Sequence, residues 1–258
     1  MSHFIDRFRL NARATNQGEL ARLRRLVAFD RLLARLFFEE NNSPWVVKGG
    51  YGLEIRYQMQ ARTTKDIDLV LMESARLTPD PGEVLRSVLD SLQESSARDI
   101  GDYFTFNIGE PSQEFDSPPE GGARFPVETK LDGRLFAKFH LDVGIGDVIV
   151  EKPERMTNQE FLSFAGIPPA SVLIIPVSQQ VAEKIHSYTL PREGASNSRV
   201  KDLVDLVLVI ERDCPEPSIA RAAVEATFER RSTHPIPDVL PMPPETWTPS
   251  YVSMAKEV

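Results

Sequence analysis

The sequence predicts an α+β fold: one long helix, then a mixed block of strands and helices, then a run of helices. Apolar residues recur at the 3.6-residue helical period over 18–40 and in three segments beyond residue 177. Between them lie short runs of branched and aromatic residues, the mark of strands. In the second half of the middle block these runs follow one another directly, which favours hairpins and a mixed sheet over an all-parallel one.

The first helix places Leu20, Leu23, Val27, Leu32, Leu33, Leu36 and Phe37 on one stripe, with arginines on its other faces. Asn41–Pro44 breaks it. A short strand, Trp45–Val47, runs into Lys48-Gly49-Gly50, and residues 51–59 suit a helix. Asp66–Met72 reads as a strand. Pro81 fits the first turn of a helix over 82–97, whose apolar face is Val84, Leu85, Val88, Leu89 and Leu92. Strands are expected at 102–108, 124–130, 134–143 and 172–175, with a Pro/Gly/acidic loop at 110–122. Helices follow at 178–190, 199–212 and 216–231. The tail from 234 holds six prolines and suggests an extended or mobile segment. These patterns divide the chain into residues 1–176, a helical region at 177–233 and a Pro-rich tail at 234–258.

Composition excludes several function classes. A single cysteine, Cys214, leaves no internal disulfide and no multi-cysteine zinc site. The four histidines are scattered, which argues against a histidine metal cluster. No apolar run approaches a membrane span, and the N-terminus lacks the apolar core of a signal peptide, so a cytoplasmic protein without membrane partners is expected. The net charge of −8 hides a strong asymmetry. Residues 1–65 carry 12 Lys and Arg against 6 Asp and Glu, whereas residues 66–120 carry 3 against 13.

Four features bear on chemistry. Gly49 and Gly50, between a strand and a helix, let backbone approach a ligand and open a helix N-terminus toward a phosphate; a simple turn needs the same residues. Asp66 and Asp68 alternate in a strand and share a face, suited to a divalent cation or to a solvated strand end. Asp142 lies in an apolar strand and joins them if the two strands are neighbours; at an edge it would simply face water. Lys184 precedes a helix on which Asp202 and Asp205 share a face with Arg199 and Lys201 nearby, a phosphate site or a surface salt bridge.

Together, W-V-V-K-G-G-Y-G-L-E-I-R, R-T-T-K-D-I-D-L, A-E-K-I-H-S-Y and S-R-V-K-D-L-V-D-L resemble, in order, the motifs of the AbiEii/AbiGii-type nucleotidyltransferases. These are toxins of abortive-infection and MenT-type toxin–antitoxin systems, and the likeness spans roughly residues 45–210. The resemblance implies a polymerase-beta-like nucleotidyltransferase domain followed by a helical region. It implies Mg²⁺ (or Mn²⁺)-dependent transfer of a nucleoside monophosphate from an NTP, with the 3′ end of tRNA as acceptor and a cognate antitoxin as partner.

By position, Gly49 and Gly50 would meet the triphosphate, Asp66 and Asp68 would hold metal, Lys184 would bind phosphate and Asp202 would be a later catalytic or orienting acid. The wider superfamily adds Asp142 as a third carboxylate. Gly50 departs from its Gly-Ser pattern. Lys48, Arg62 and Lys65 flank the site, and with Arg199 and Lys201 complete the expected nucleotide-binding set. Thr64, beside Asp66, is a candidate regulatory phosphorylation site or a turn residue. Arg24, Arg31 and Arg35 fall near one helical face, where they would track an RNA backbone or be merely solvated. A protein or small-molecule acceptor, or a non-catalytic NTP-binding module, are the competing readings.

Overall fold

The computed structural model describes residues 17–39, 43–72, 81–115, 119–191 and 199–256. Residues 40–42 of the helix end and breaker, 116–118 of the acidic loop and Ser198 of the last motif lie outside them, as do Arg7, Arg9 and Arg13. The chain runs α1 (Gln17–Leu36), β1 (Trp45–Lys48), α2 (Gly49–Tyr57), β2 (Asp66–Leu71), α3 (Pro81–Ser96), β3 (Phe104–Ile108), β4 (Gln113–Phe115), β5 (Gly122–Leu131) and β6 (Arg134–Gly144). It continues through β7 (Glu154–Thr157), β8 (Ser171–Ile174), α4 (Val177–Thr189), α5 (Val200–Asp213), α6 (Pro217–Arg231) and α7 (Thr248–Ala255). The α+β expectation holds.

The eight strands form one mixed sheet in the order β3-β5-β6-β2-β1-β8-β7, with β4 added beside β5. β2 runs parallel to β6 and antiparallel to β1, while β1 runs parallel to β8. β5 and β6 form a hairpin whose two turn residues, Asp132 and Gly133, both take positive φ (49° and 73°). That geometry matches the twist of the flanking strands. β7 has no sequence signal: Glu154–Thr157 is an edge strand with its residues mostly exposed, so it needs no apolar alternation.

Burial follows the expected periods. α1 buries Leu26, Val27, Phe29, Leu32, Leu33 and Leu36 against the sheet. Phe29 meets Tyr51 and Phe139 edge-on, at centroid distances of 4.9 and 4.7 Å. α3 adds Val84, Val88, Leu89 and Leu92 to the same core. A second cluster joins Leu53 and Ala61 to Val177, Val181, Leu206, Leu208 and Val209, so the helical region packs onto α2.

The arginine face of α1 is not what the charge pattern suggested. Arg31 and Arg35 are each 2% exposed. Arg35 holds Asp102 through two hydrogen bonds of 2.9 and 2.6 Å and donates to the carbonyls of Phe104 and Arg31. Arg31 pairs with buried Asp30 and donates to the Pro168 carbonyl. Asp30 also accepts from Asn158 and the Ala170 amide. Arg24 stacks over Phe136. Unpaired charges cannot be buried, so Arg31 and Arg35 each bring a carboxylate and a carbonyl oxygen with them. These two arginines tie α1 to the loops behind the sheet and are too buried to track RNA, while Arg24 is half-buried.

The Pro-rich segment is also more ordered than its composition suggests. Trp247, in a short 3-10 turn at Glu245–Trp247, packs with Tyr188 and Val200, and α7 adds Tyr251 and Met254. Tyr188 donates its hydroxyl to the Pro241 carbonyl at 2.6 Å. Prolines keep the chain extended, and one aromatic anchor is enough to dock it.

Replacing Asp102 by Asn leaves Arg35 buried without its counter-charge. Urea unfolding is expected to show a loss of about 3–5 kcal/mol, as a lower midpoint at an unchanged m-value. An unchanged midpoint would mean that the pair is dispensable.

Candidate active site

The site grows from the β2–β6 register. The parallel pairing sets Asp66 opposite His140 and Asp68 opposite Asp142. Side chains alternate along a strand, so Asp66, Asp68 and Asp142 project from the same face of two adjacent strands. The β5–β6 hairpin sets Arg124 opposite Asp142, and the guanidinium grips that carboxylate through two bonds of 2.7 Å. Arg124 also comes within 3.9 Å of Asp66, whose other neighbour is the Nδ1 of His140 at 3.5 Å. Asp68 accepts no hydrogen bond among the described residues. Burial and the facing Asp142 push its pKa up to about 6, against the pull of Lys48, Lys201 and Lys184.

β1 delivers the glycines. Gly49 takes φ +64°, and a Cβ there would fall 2.0 Å from Asp68 Oδ2. Only glycine lets the backbone pass this close to the carboxylate while turning into α2. Gly50 follows under Thr64 and Arg62. The first amides of α2 have no partner within the helix, and the helix starts beside Asp68. Gln180 of α4 donates to the Gly49 carbonyl at 2.6 Å and fixes the turn.

The opposite wall is cationic. Lys184 sits between Asp205, at 2.6 Å, and Asp202, at 3.2 Å. Arg62 binds Asp205 through two bonds of 2.9 and 2.8 Å. Asp205, 1% exposed, thus gathers two cations. Burial favours its neutral form, but Lys184 and Arg62 outweigh that and hold its carboxyl below the usual range. Arg199 reaches Asp202 Oδ2 at 3.5 Å from the residue before α5. Lys48 turns away from Asp68 to pair with Asp147, and Glu183 lies 3.4 Å off. Burial alone would discharge Lys48, but those two acids outweigh it and hold the ammonium charged. Arg231 of α6 completes this group by binding the same Asp147 at 2.8 Å.

These walls enclose a polar cleft of ≈ 280 Å³ lined by Lys48, Gly49, Gly50, Arg62, Thr64, Asp66, Asp68, Asp142, Lys184, Arg199, Lys201 and Asp202. Every expected site residue except Lys65 is brought there. Lys65 is exposed, stands just before β2 and lines a separate groove that begins at Asp66. Thr64 is 8% exposed and donates its hydroxyl to the Asp66 carbonyl at 3.3 Å.

Five further residues line the cleft outside the expected set: Arg124, Gln180, Glu183, Ser187 and Arg231. Arg124 follows only from the hairpin register counted from Asp142. Asp205, behind the wall in the K-D-L-V-D-L motif, makes a closer pair with Lys184 than Asp202 does. Gln180, Glu183 and Arg231 have no local signal, since their relation to the site is purely tertiary.

The model of the nucleotidyl transferase AbiEii toxin family (type IV toxin–antitoxin system) matches residues 31–258. The chain belongs to the AbiEii nucleotidyltransferase toxin family. The structure of MenT4, a nucleotidyltransferase toxin of Mycobacterium tuberculosis H37Rv, superposes with a TM-score of 0.61 at 17% identity. That match covers 98% of this chain and 88% of MenT4, and it shows a shared fold. ANT(2″)-Ia, an antibiotic-resistance factor, superposes with a TM-score of 0.42 at 15% identity, over 80% of this chain and 97% of its own. No curated protein matches. No helix among the described residues is long and apolar enough to cross a membrane.

Asp68 makes the metal-free protein pH-sensitive. Its folded pKa of about 6 lies above the usual aspartate value of 3.8, so the folded chain binds this proton more tightly than the unfolded chain. Stability is therefore lost as pH rises from about 4 to 6, by at most about 3 kcal/mol and by less where solvent reaches the half-buried carboxylate. Asp68→Asn removes this loss. Urea midpoints measured in chelator should show the variant to be more stable at pH 7 and equal to the parent at pH 3.5. Equal midpoints at both values would remove the repulsion between Asp68 and Asp142.

Proposed function

We propose that the cleft transfers a nucleoside monophosphate from an NTP to an RNA acceptor, the 3′ end of tRNA, and so arrests translation until a cognate antitoxin silences it. One arrangement carries this reading. A carboxylate cluster on one sheet face adjoins a Gly-Gly helix start and faces a wall of Lys and Arg. A triphosphate needs just these neighbours: amides and cations for its non-bridging oxygens, and carboxylates where charge develops.

Among the described residues, no three or more His, Cys, Asp or Glu side chains form a ready-made metal-binding group. The donors still fit Mg²⁺ or Mn²⁺, which one or two carboxylates commonly share with substrate phosphates. Asp68, free of hydrogen bonds and repelled by Asp142, and the adjacent Asp66 would hold the ion. Asp142 is engaged by Arg124 and would join only if that guanidinium moves to the substrate. When bound, the ion would supply positive charge to the α-phosphate oxygens and orient them.

The chain's own groups do the rest. Gly49 and Gly50 receive the β- and γ-phosphates, and Lys184, Arg62, Arg199 and Lys201 offset their charge. Asp205 and Asp202 hold Lys184 and Arg62 in place, as preorganised cations require. The acceptor oxygen bonds to the α-phosphorus while the bond to pyrophosphate breaks. Pyrophosphate leaves along the cationic wall, and the acceptor's proton passes to Asp66. A phosphate on Thr64 would occupy the pocket meant for substrate phosphate, which supports Thr64 as a point of control.

Incubation of purified protein with each α-labelled NTP, Mg²⁺ and total RNA is expected to label RNA at its 3′ end. Asp66→Ala and Asp68→Asn should abolish labelling while their unfolding curves remain cooperative. Lys184→Ala and Asp202→Ala should each cost roughly tenfold or more. Label on protein instead of RNA would favour the alternative acceptor class, and full activity in both Asp66 and Asp68 variants would overturn the reading.

A further inference from the structure

A second groove, of ≈ 600 Å³, begins where the cleft ends. The two share Asp66. The reason is again register. β2 pairs with β6 only from His140 onward, so beyond Asp66 the first half of β6 has no β2 residue beside it. The face that carries Arg124 and Asp142 in the cleft continues two residues along as Pro126 and His140, and two further as Glu128 and Lys138. Lys65 and Arg25 border the same groove from β2's entry and from α1. His140 and Lys138 are exposed, with side-chain accessibilities of 47% and 64%. Glu128 is already paired with Lys138 at 2.8 Å and with Lys130 at 3.5 Å. The groove therefore presents Arg25, Lys65, Lys138 and an imidazole to a ligand, with Asp66 alone at its inner end.

We infer that this groove is the acceptor track: it holds the unpaired 3′ end of a polynucleotide, phosphates along Arg25, Lys65 and Lys138, terminal hydroxyl at Asp66. The inference rests on the cleft being the nucleotidyl-transfer site and adds the path by which the acceptor enters. Three observations select this occupant. The groove abuts the transfer site through Asp66, whose nearest cationic neighbours stand 3.5 and 3.9 Å away, so a ligand seated in it ends at the α-phosphate position. Its cations flank Pro126 and the exposed imidazole ring of His140, the combination that single strands use, charge for phosphates and flat rings for bases. A polycationic acceptor such as an aminoglycoside would meet three cations and, as acids, only Asp66 and a Glu128 already paired with Lys138 and Lys130.

The test uses the full chain and a fluorescent single-stranded oligoribonucleotide. Lys65→Ala/Lys138→Ala changes two exposed side chains and should fold as the parent does. Anisotropy is expected to show roughly tenfold weaker oligonucleotide binding, with the salt-dependence slope reduced by about 1.4, the share of two phosphate contacts on a single strand. Nucleotide affinity, measured separately by titration with an NTP in Mg²⁺, should stay within twofold. In the transfer assay the acceptor KM should rise with kcat held. Lys130→Ala, beside the groove and outside it, should leave oligonucleotide binding unchanged. Unaltered oligonucleotide binding in the double variant, or an equal loss in Lys130→Ala, overturns the track. Failure of the parent to bind any NTP would instead remove the transfer site, while the anisotropy result would still report on the groove.

Discussion

The active cleft depends on one rung of the sheet, where Asp68 faces Asp142 across parallel strands. Like charges this close are costly, and nothing in the local chain requires them. The fold accommodates them by bringing cations from every side. Arg124 clamps Asp142 from the neighbouring hairpin strand. Lys48, Lys184 and Lys201 act on Asp68 at longer range and still leave it hard to ionise. The protein alone therefore does not balance this rung. On the proposed reading, the residual negative charge is where a divalent cation would bind.

The cationic wall obeys the complementary rule. Each buried cation there is held by acids that have no evident role toward a substrate: Asp205 and Asp202 for Lys184, Asp205 for Arg62, Asp147 and Glu183 for Lys48, Asp147 again for Arg231. Such pairs add little net stability. They fix the position and charge state of groups that would otherwise retract or lose a proton on burial. The same logic appears far from the cleft, where Arg35–Asp102 and Arg31–Asp30 anchor α1. In one case the pairing prepares a binding surface and in the other it fastens a helix. Sequence cannot tell the two apart, because both look like a charged residue on a helix.

That limit explains what was legible. The element order, the mixed sheet and the carboxylate faces follow from local periods, and those periods survive folding. The Gly49-Gly50 turn was readable because backbone geometry demands glycine. Partnerships across 60 to 140 residues were not readable. Arg31 and Arg35 looked like a solvated basic stripe because Asp102 and Pro168 are distant in sequence. Lys65 looked like a member of the site because it is one residue from Asp66, yet it precedes the strand and lines the neighbouring groove. β7 carries no pattern because an edge strand needs none. The proline-rich segment read as loose because composition reports the backbone's stiffness and not the one tryptophan that anchors it.

That tryptophan has a mechanical consequence. Trp247 is wedged against Tyr188 at the end of α4 and Val200 at the start of α5, the two helices that carry Lys184 and Asp202. The segment at 245–255 is thus a brace laid across the far side of the cationic wall. Displacing this segment would remove a packing partner shared by the two helices that carry the lysine and its acids. The part of the chain with the least regular composition in this way packs against both helices that carry the part with the strictest geometry.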